Sequence, residues 1–305
     1  MAPYPELIRV RQGATAHDWV SVQAAYHALS SESLRSAAVR TVGDVKGSRE
    51  MLAPVAESPG YSSEQLLART MLASALIQIG WGIRTNSRAQ YVSKDQFRQL
   101  HDYLRQAEQL LIDVIAHDPN NVAAWNERMV TARGLQLGLS EARRRYDHAA
   151  RLAPHLVAPQ RQMLQHLCPK WAGTLDQVHA FARECAFSAP PGSLNGQLVA
   201  DGHLEHWATL SGSEARAYLG SSAVQEEVTA AAYHSVLNPA FVPVFGWVVA
   251  HAHFALLQSA AGNPAAASVH FQAVGSFDIS EVWSQFFDDA QSTCARHRAA
   301  ALPKG

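Results

Sequence analysis

The sequence predicts an all-α protein, a right-handed superhelix of antiparallel helix hairpins, and three observations carry that prediction. The 305 residues are 48% hydrophobic and 17% charged, with alanine-rich runs and few alternating β-branched stretches, a composition that favours helix over sheet. Apolar residues recur at three- and four-residue steps: Phe97, Leu100, Leu104, Ala107, Leu111 and Val114 share one helical face, which must be buried. That unit closes at Pro119, and prolines in the same setting return 35 residues on at Pro154 and 36 further at Pro190, a period typical of stacked helix hairpins.

Taken in order, a helix is expected at 16–29, around DWVSVQAAYHAL, and a loop at 41–62, where Gly, Pro and Ser concentrate. A helix follows at 63–82, and RTNSRAQYVSKD, 84–95, reads as a long insertion between helices. Ser93 with Gln96 makes a capping-box start, and Asp118-Pro119-Asn120-Asn121 ends that helix and begins another. PKWAG, 169–173, replaces an ordinary hairpin turn. Helices are expected at 193–210, 222–236 and 240–261, and Asn263 as N-cap with Pro264 at the first helical position marks a further start. The last helix, 278–298, opens with Asp278 and Glu281 as a capping box and closes with Arg296 and Arg298, in keeping with the helix dipole. Its stripe of Ile279, Trp283, Phe286, Ala290 and Cys294 should cover the end of the stack as a C-terminal capping helix. On this reading 1–60 is a divergent helical segment and loop, 61–298 the α-solenoid, and 299–305 a tail.

The recurring unit resembles the tetratricopeptide repeat, which carries an aromatic early in helix A, small residues where the helices cross, and a Pro after helix B. Trp125 stands six residues after Pro119, at the place of the helix A aromatic. Ala142, Tyr146 and Ala149 precede Pro154, with Ala107, Leu111 and Val114 before Pro119 and Val178, Ala182 and Cys185 before Pro190 in the same register. Phe254, Ala255, Gly262, Ala267, Phe271 and Val274 occupy matching places nearer the C-terminus. The likeness is specific at 95–190, weaker at 191–298 and absent at 1–60, and the Pro-Lys-Trp turn is similar to one in bacterial helical-repeat proteins. The resemblance implies a concave groove lined by the fifth, ninth and twelfth places of each helix A. Those places hold Asn126, Val130 and Arg133, then Arg161, Gln165 and Cys168, then Gln197, Asp201 and Leu204. The family's clamp for peptide carboxylates uses Lys and Asn there, and only Arg161 is chemically comparable, so the implied ligand is a peptide of mixed polar character.

Charge excludes some partners. Lys plus Arg is 25 against 26 Asp plus Glu, so no whole-protein field would collect nucleic acid or an anionic membrane. Arg143, Arg144, Arg145 and Arg151, interleaved with Glu141 and Asp147, read as a solvated face. Cys168, Cys185 and Cys294 lie far apart with no C-x-x-C pair, as free thiols in a reducing compartment would, and MAPYPELIRVRQG lacks the order of a signal peptide. A cytoplasmic location is therefore expected. Residues 228–277 contain no Asp, Glu, Lys or Arg, yet Pro239, Pro243, Pro264 and four histidines interrupt them, which argues against a membrane span.

For chemistry, the strongest metal-like grouping is DGHLEHW, where His203 and His206 lie three apart with Asp201 and Glu205 nearby. Zinc would need further ligands from another element, and 15 histidines make such a pair common, so solvated or core-satisfied histidines are the expectation and no metal or cofactor is assigned. In the uncharged block His234, His251, His253 and His270 either mark simple burial or a subunit interface, or line a ligand pocket. Trp125-Asn126-Glu127-Arg128 places acid and base types side by side, but sequence neighbours point to different helix faces, so they are expected to be structural or surface residues. No G-x-S-x-G or glycine-rich phosphate loop is present.

The function expected is non-catalytic: a scaffold or adaptor that binds a protein or peptide segment through Asn126, Arg133, Arg161, Gln165, Gln197 and Asp201. The alternative is an enzyme or small-ligand binder using histidines, His203, His206, His234 or His251 among them, on the same scaffold. A third reading is a homodimer formed through 228–277.

Overall fold

The computed structural model describes residues 4–85 and 91–302 and is all-helical, with seventeen α-helices and no strand among the described residues. The described residues form two compact units, one within Tyr4–His166 and one within 167–302.

In the N-terminal unit the order is α1 (Pro5–Thr15), α2 (Trp19–His27), α3 (Glu32–Gly43), α4 (Ser48–Ala56), α5 (Ser63–Arg84), α6 (Lys94–His117), α7 (Val122–Gly134), α8 (Leu139–Leu152) and α9 (Val157–Leu167). Helix α5 is the organising element, packed against α3, α4, α6 and α7 and buried along most of Leu66–Ile77. By length and composition it is the one helix among the described residues apolar enough to cross a membrane, and 72% of that stretch is buried inside the protein. Helix α6 starts at the expected capping box, Ser93 and Gln96 bonding each other's backbone. Its stripe Leu100, Leu104, Ala107, Leu111 and Val114 is buried, each Leu or Val contributing about 1.5–3 kcal/mol relative to exposure. Asn121 caps α7 by accepting from Ala124 N, while Trp125 Nε1 donates to Pro119 O at 2.9 Å and ties the turn to the helix.

The N-terminal expectations need correction. Helix α1 went unexpected, α2 starts at Trp19 rather than 16, and the expected loop at 41–62 contains the end of α3 and all of α4. Gly47, at φ 84°, supplies a left-handed start for α4, whose Leu52 and Ala56 are buried as it packs on α5. Pro54 comes late enough that the helix ends two residues beyond it. Residues 86–90 of the expected insertion lie outside the described residues.

In the C-terminal unit a 3-10 turn at Pro169–Trp171 leads to α10 (Leu175–Ser188), then a second at Leu194–Gly196, α11 (Gln197–Trp207), α12 (Gly212–Gly220), α13 (Ser222–His234), α14 (Trp247–Ala260), α15 (Pro264–Val274), α16 (Ser280–Trp283) and α17 (Ala290–Ala301). Helix α11 is the inner element, packed against α10, α12, α13 and α14. Gly196 is needed here, since a Cβ would sit 2.4 Å from Ala231 O on α13. Asn263 caps α15 as expected, accepting from Ala266 N at 3.2 Å. The helix expected at 240–261 begins only at Trp247, because Pro239 and Pro243 lack the N–H a helix needs. The helix expected at 278–298 is two, α16 and α17, with Asp289 starting the second by accepting from Ser292 N. Helix α17 runs to Ala301, into the segment expected to be a tail.

Candidate functional site

The six residues of the expected groove fall in both units. Asn126 is buried on α7, its Nδ2 donating to Glu127 Oε1 at 3.3 Å. Arg133 Nη1 donates to Gln162 Oε1 at 2.6 Å, and Arg161 and Gln165 on α9 are half-buried with partners of their own. Gln197 and Asp201 are buried on α11, and Asp201 Oδ1 stands 2.8 Å from His253 Nε2. Three of the six are thus interior positions, because α7 and α11 are covered on more sides than the first helix of an open hairpin would be.

The interior of the N-terminal unit holds an ion cluster. The Glu108 carboxylate on α6 accepts from Arg128 Nε and Nη2 on α7 at 3.1 and 2.5 Å, and from Arg145 Nη2 and Nη1 on α8, both at 2.9 Å. Thr131 Oγ1 adds a donor at 2.5 Å. Arg145 was expected on a solvated face with Arg143 and Arg144; it is buried, its Nε also bound to Glu141 at 2.7 Å, while the other two remain exposed. Glu127 is fully buried, and desolvation raises its carboxyl above the ordinary range against the pull of Arg40, Ser74 and Asn126. The Glu108 cluster joins α6, α7 and α8 through charged groups bonded to one another, the arrangement of structural residues.

The histidines of the uncharged block do not line one pocket. His234 Nε2 donates to Ala189 O at 2.9 Å, and His253 pairs its Nδ1 with Val249 O at 2.8 Å and its Nε2 with Asp201. His251 and His270 meet Nδ1 to Nδ1 at 3.0 Å, and burial lowers them to about 4 and about 3, so both are neutral.

The other pair, His203 and His206, does converge with side chains from elsewhere. His179 on α10 places Nε2 3.0 Å from His206 Nδ1, and Tyr218 on α12 places its hydroxyl 2.7 Å from His203 Nδ1 and 3.3 Å from His179 Nε2. Behind them Glu227 on α13 accepts two bonds from Arg183 and faces His203 Nε2 at 3.6 Å. Burial lowers His203 to about 4 and also lowers His179 and His206, and it raises the Tyr218 phenol. His179 and Tyr218 carried no signal in the sequence, since both come from helices whose contact with α11 no spacing rule encodes. Among the described residues no group of three or more His, Cys, Asp or Glu side chains is arranged to hold a metal ion.

Two surface features complete the inventory. A pocket of about 150 Å³ lies between Phe277, Asp278, Ile279, Cys294 and Arg298. Burial raises the Cys294 thiol, so it lacks the thiolate character of a nucleophile. At the end of α10 and α13, Phe187 is 45% exposed and Tyr233 62%, and the loop before α14 leaves Val242 66% and Val244 52% exposed. Ring contact between Phe187 and His234 at 5.6 Å, and a Gly192 backbone that a Cβ would press to 2.7 Å from Ala240, bring these segments together.

Comparison with known proteins finds no family model, no curated protein and no solved structure that matches the chain.

Proposed function

We propose that the chain is a non-catalytic helical scaffold, with stacked hairpins similar to tetratricopeptide repeats, that binds a partner protein segment through the uncharged apolar surface of its C-terminal unit. The observation that supports this reading is the exposure of Tyr233, Val242 and Val244 within a stretch, 228–277, that has no Asp, Glu, Lys or Arg, together with the exposure of Phe187 at the end of α10. Apolar side chains of that size exposed together are a recognised mark of protein interaction surfaces. Within 228–277 there is no formal charge to desolvate, so that part of the surface favours an apolar, uncharged segment of the partner over an acidic or basic one. The arginine-containing row is the weaker candidate, since Asn126, Gln197 and Asp201 are interior.

Capture from native cell extract with wild-type, Val242→Glu and Arg161→Glu protein, eluates compared by mass spectrometry, separates the two surfaces. A partner lost with Val242→Glu and kept with Arg161→Glu is the expected result. The opposite pattern restores the arginine row, and a partner retained by both variants refutes each surface. Sedimentation across a range of concentrations tests the self-pairing form, in which the partner is a second copy; Val242→Glu then shifts dimer to monomer.

A further inference from the structure

We propose that His179, His206 and Tyr218 form a binding site for one divalent transition-metal ion, of the Zn²⁺ or Cu²⁺ class, in the C-terminal unit. The three donor atoms come from three helices: His179 Nε2 lies 3.0 Å from His206 Nδ1 and 3.3 Å from Tyr218 Oη. Ligands held at about 2.0–2.1 Å by a tetrahedral ion stand roughly 3.3–3.4 Å apart, so the two separations from His179 Nε2 are already within tenths of an ångström of that spacing. Imidazole nitrogen is a preferred donor for both ions.

The surroundings favour a cation. Asp176 acts on both rings and Glu214 on His206, while the opposing Arg183 is turned onto Glu227 by bonds of 2.8 and 3.1 Å. His179, His206 and Tyr218 are all half-buried, which admits an ion from solvent and leaves water to fill the remaining coordination position.

His203 is a positioning residue here. Its Nδ1 is 2.7 Å from Tyr218 Oη, and its Nε2 has no hydrogen-bond partner but faces Glu227 Oε2 at 3.6 Å. With a hydrogen on Nε2, Nδ1 accepts from the phenol. When the oxygen ligates an ion, the O–H bond breaks, its electron pair stays on oxygen for the metal and the proton passes to solvent water, while the neutral His203 ring, its hydrogen moved from Nε2 to Nδ1 by exchange with water, donates to the phenolate oxygen. Outer partners of this kind orient a ligand and tune its basicity.

The test is calorimetric titration of the metal-stripped full chain with ZnCl₂ and with CuCl₂, one bound ion per chain being expected. With Cu²⁺ the wild type should develop a visible phenolate-to-copper charge-transfer band that Tyr218→Phe lacks while keeping its ring and its circular dichroism. His206→Ala, at the half-exposed edge, should abolish the stoichiometric binding, and His203→Gln should weaken it roughly 10–100-fold. Removing the exposed His117 and His155 serves as the control for adventitious binding and should change nothing. No saturable binding of either ion, or binding undiminished in both Tyr218→Phe and His206→Ala, overturns the proposal. Either result leaves the capture experiment on the apolar surface unaffected.

Discussion

Removing the negative charge at the centre of the N-terminal unit while keeping its shape, by Glu108→Gln, should destabilise the protein far more than breaking a surface ion pair. The Glu108 side chain is 13% exposed, and its two arginines, Arg128 and Arg145, are 7% and 2% exposed. The amide leaves two guanidinium groups out of water with one fewer anion, and Glu141, bound to Arg145 Nε at 2.7 Å, compensates only one of them. Breaking a buried pair by removing one partner costs about 3–5 kcal/mol; the residual exposure of Glu108 and the help from Glu141 place this case near the lower end, about 3 kcal/mol. The comparison variant is Arg143→Gln, which breaks an i,i+4 pair whose partners are 50% and 49% exposed. That change should cost no more than about 0.5 kcal/mol. Urea unfolding of the full chain, followed by far-ultraviolet circular dichroism at pH 7, measures both. A second step isolates the cause: Glu108→Gln combined with Arg128→Met removes the stranded charge and should recover part of the loss. If Glu108→Gln costs no more than Arg143→Gln, or if Arg128→Met adds to the loss in full, the buried-charge reasoning is wrong.

Glu127 gives a change of opposite sign. Its carboxyl is raised above 4.5 by burial, so the folded state binds the proton more tightly than the unfolded chain, and its contribution is greatest in acid and is lost as pH rises through the folded value. Glu127→Gln, which keeps a group able to bond Asn126, should therefore gain on the wild type as pH rises, measured as the difference in urea midpoint; a variant that loses ground on going to pH 8 would refute this. His166 runs the other way. Burial lowers it from 6.5 to about 4 while Nε2 donates to Met129 O at 2.9 Å, so the unfolded chain takes up the proton first. Stability present above pH 6.5 should fall as pH drops toward 4, by at most about 3 kcal/mol from this group, and His166→Gln should flatten that slope. A slope unchanged in His166→Gln would assign the acid sensitivity elsewhere, with His203, His251 and His270 the next groups to test.

Helices were legible where local chemistry sets them. Ser93 with Gln96, the stop at Pro119 and Asn263 with Pro264 act through bonds made within one turn, so sequence and structure agree there. Helices α1, α4 and α12 were missed because each has 9 to 11 residues and draws its order from packing rather than from a long apolar period. The split between α16 and α17 was missed for a related reason: the stripe Ile279, Trp283, Phe286, Ala290 and Cys294 keeps helical spacing across a break that Asp289 creates by capping a new start.

The site was less legible, and the reason is specific. The expected groove rests on a rule that polar residues on a first helix face solvent, and that rule fails where a polar side chain finds its partner inside. Asn126 reaches Glu127 and Asp201 reaches His253, and each pairing offsets part of the free-energy penalty that would have kept the residue at the surface. The same logic runs in reverse for the histidine cluster. His203 and His206 were visible as a pair, but what distinguishes them from satisfied core histidines is the arrival of His179 and Tyr218 from α10 and α12. A convergence of that kind is a property of helix packing, so the experiment that decides its meaning is one that reads the assembled set of donors, as a metal titration with Tyr218→Phe does, and not one that reads any single histidine.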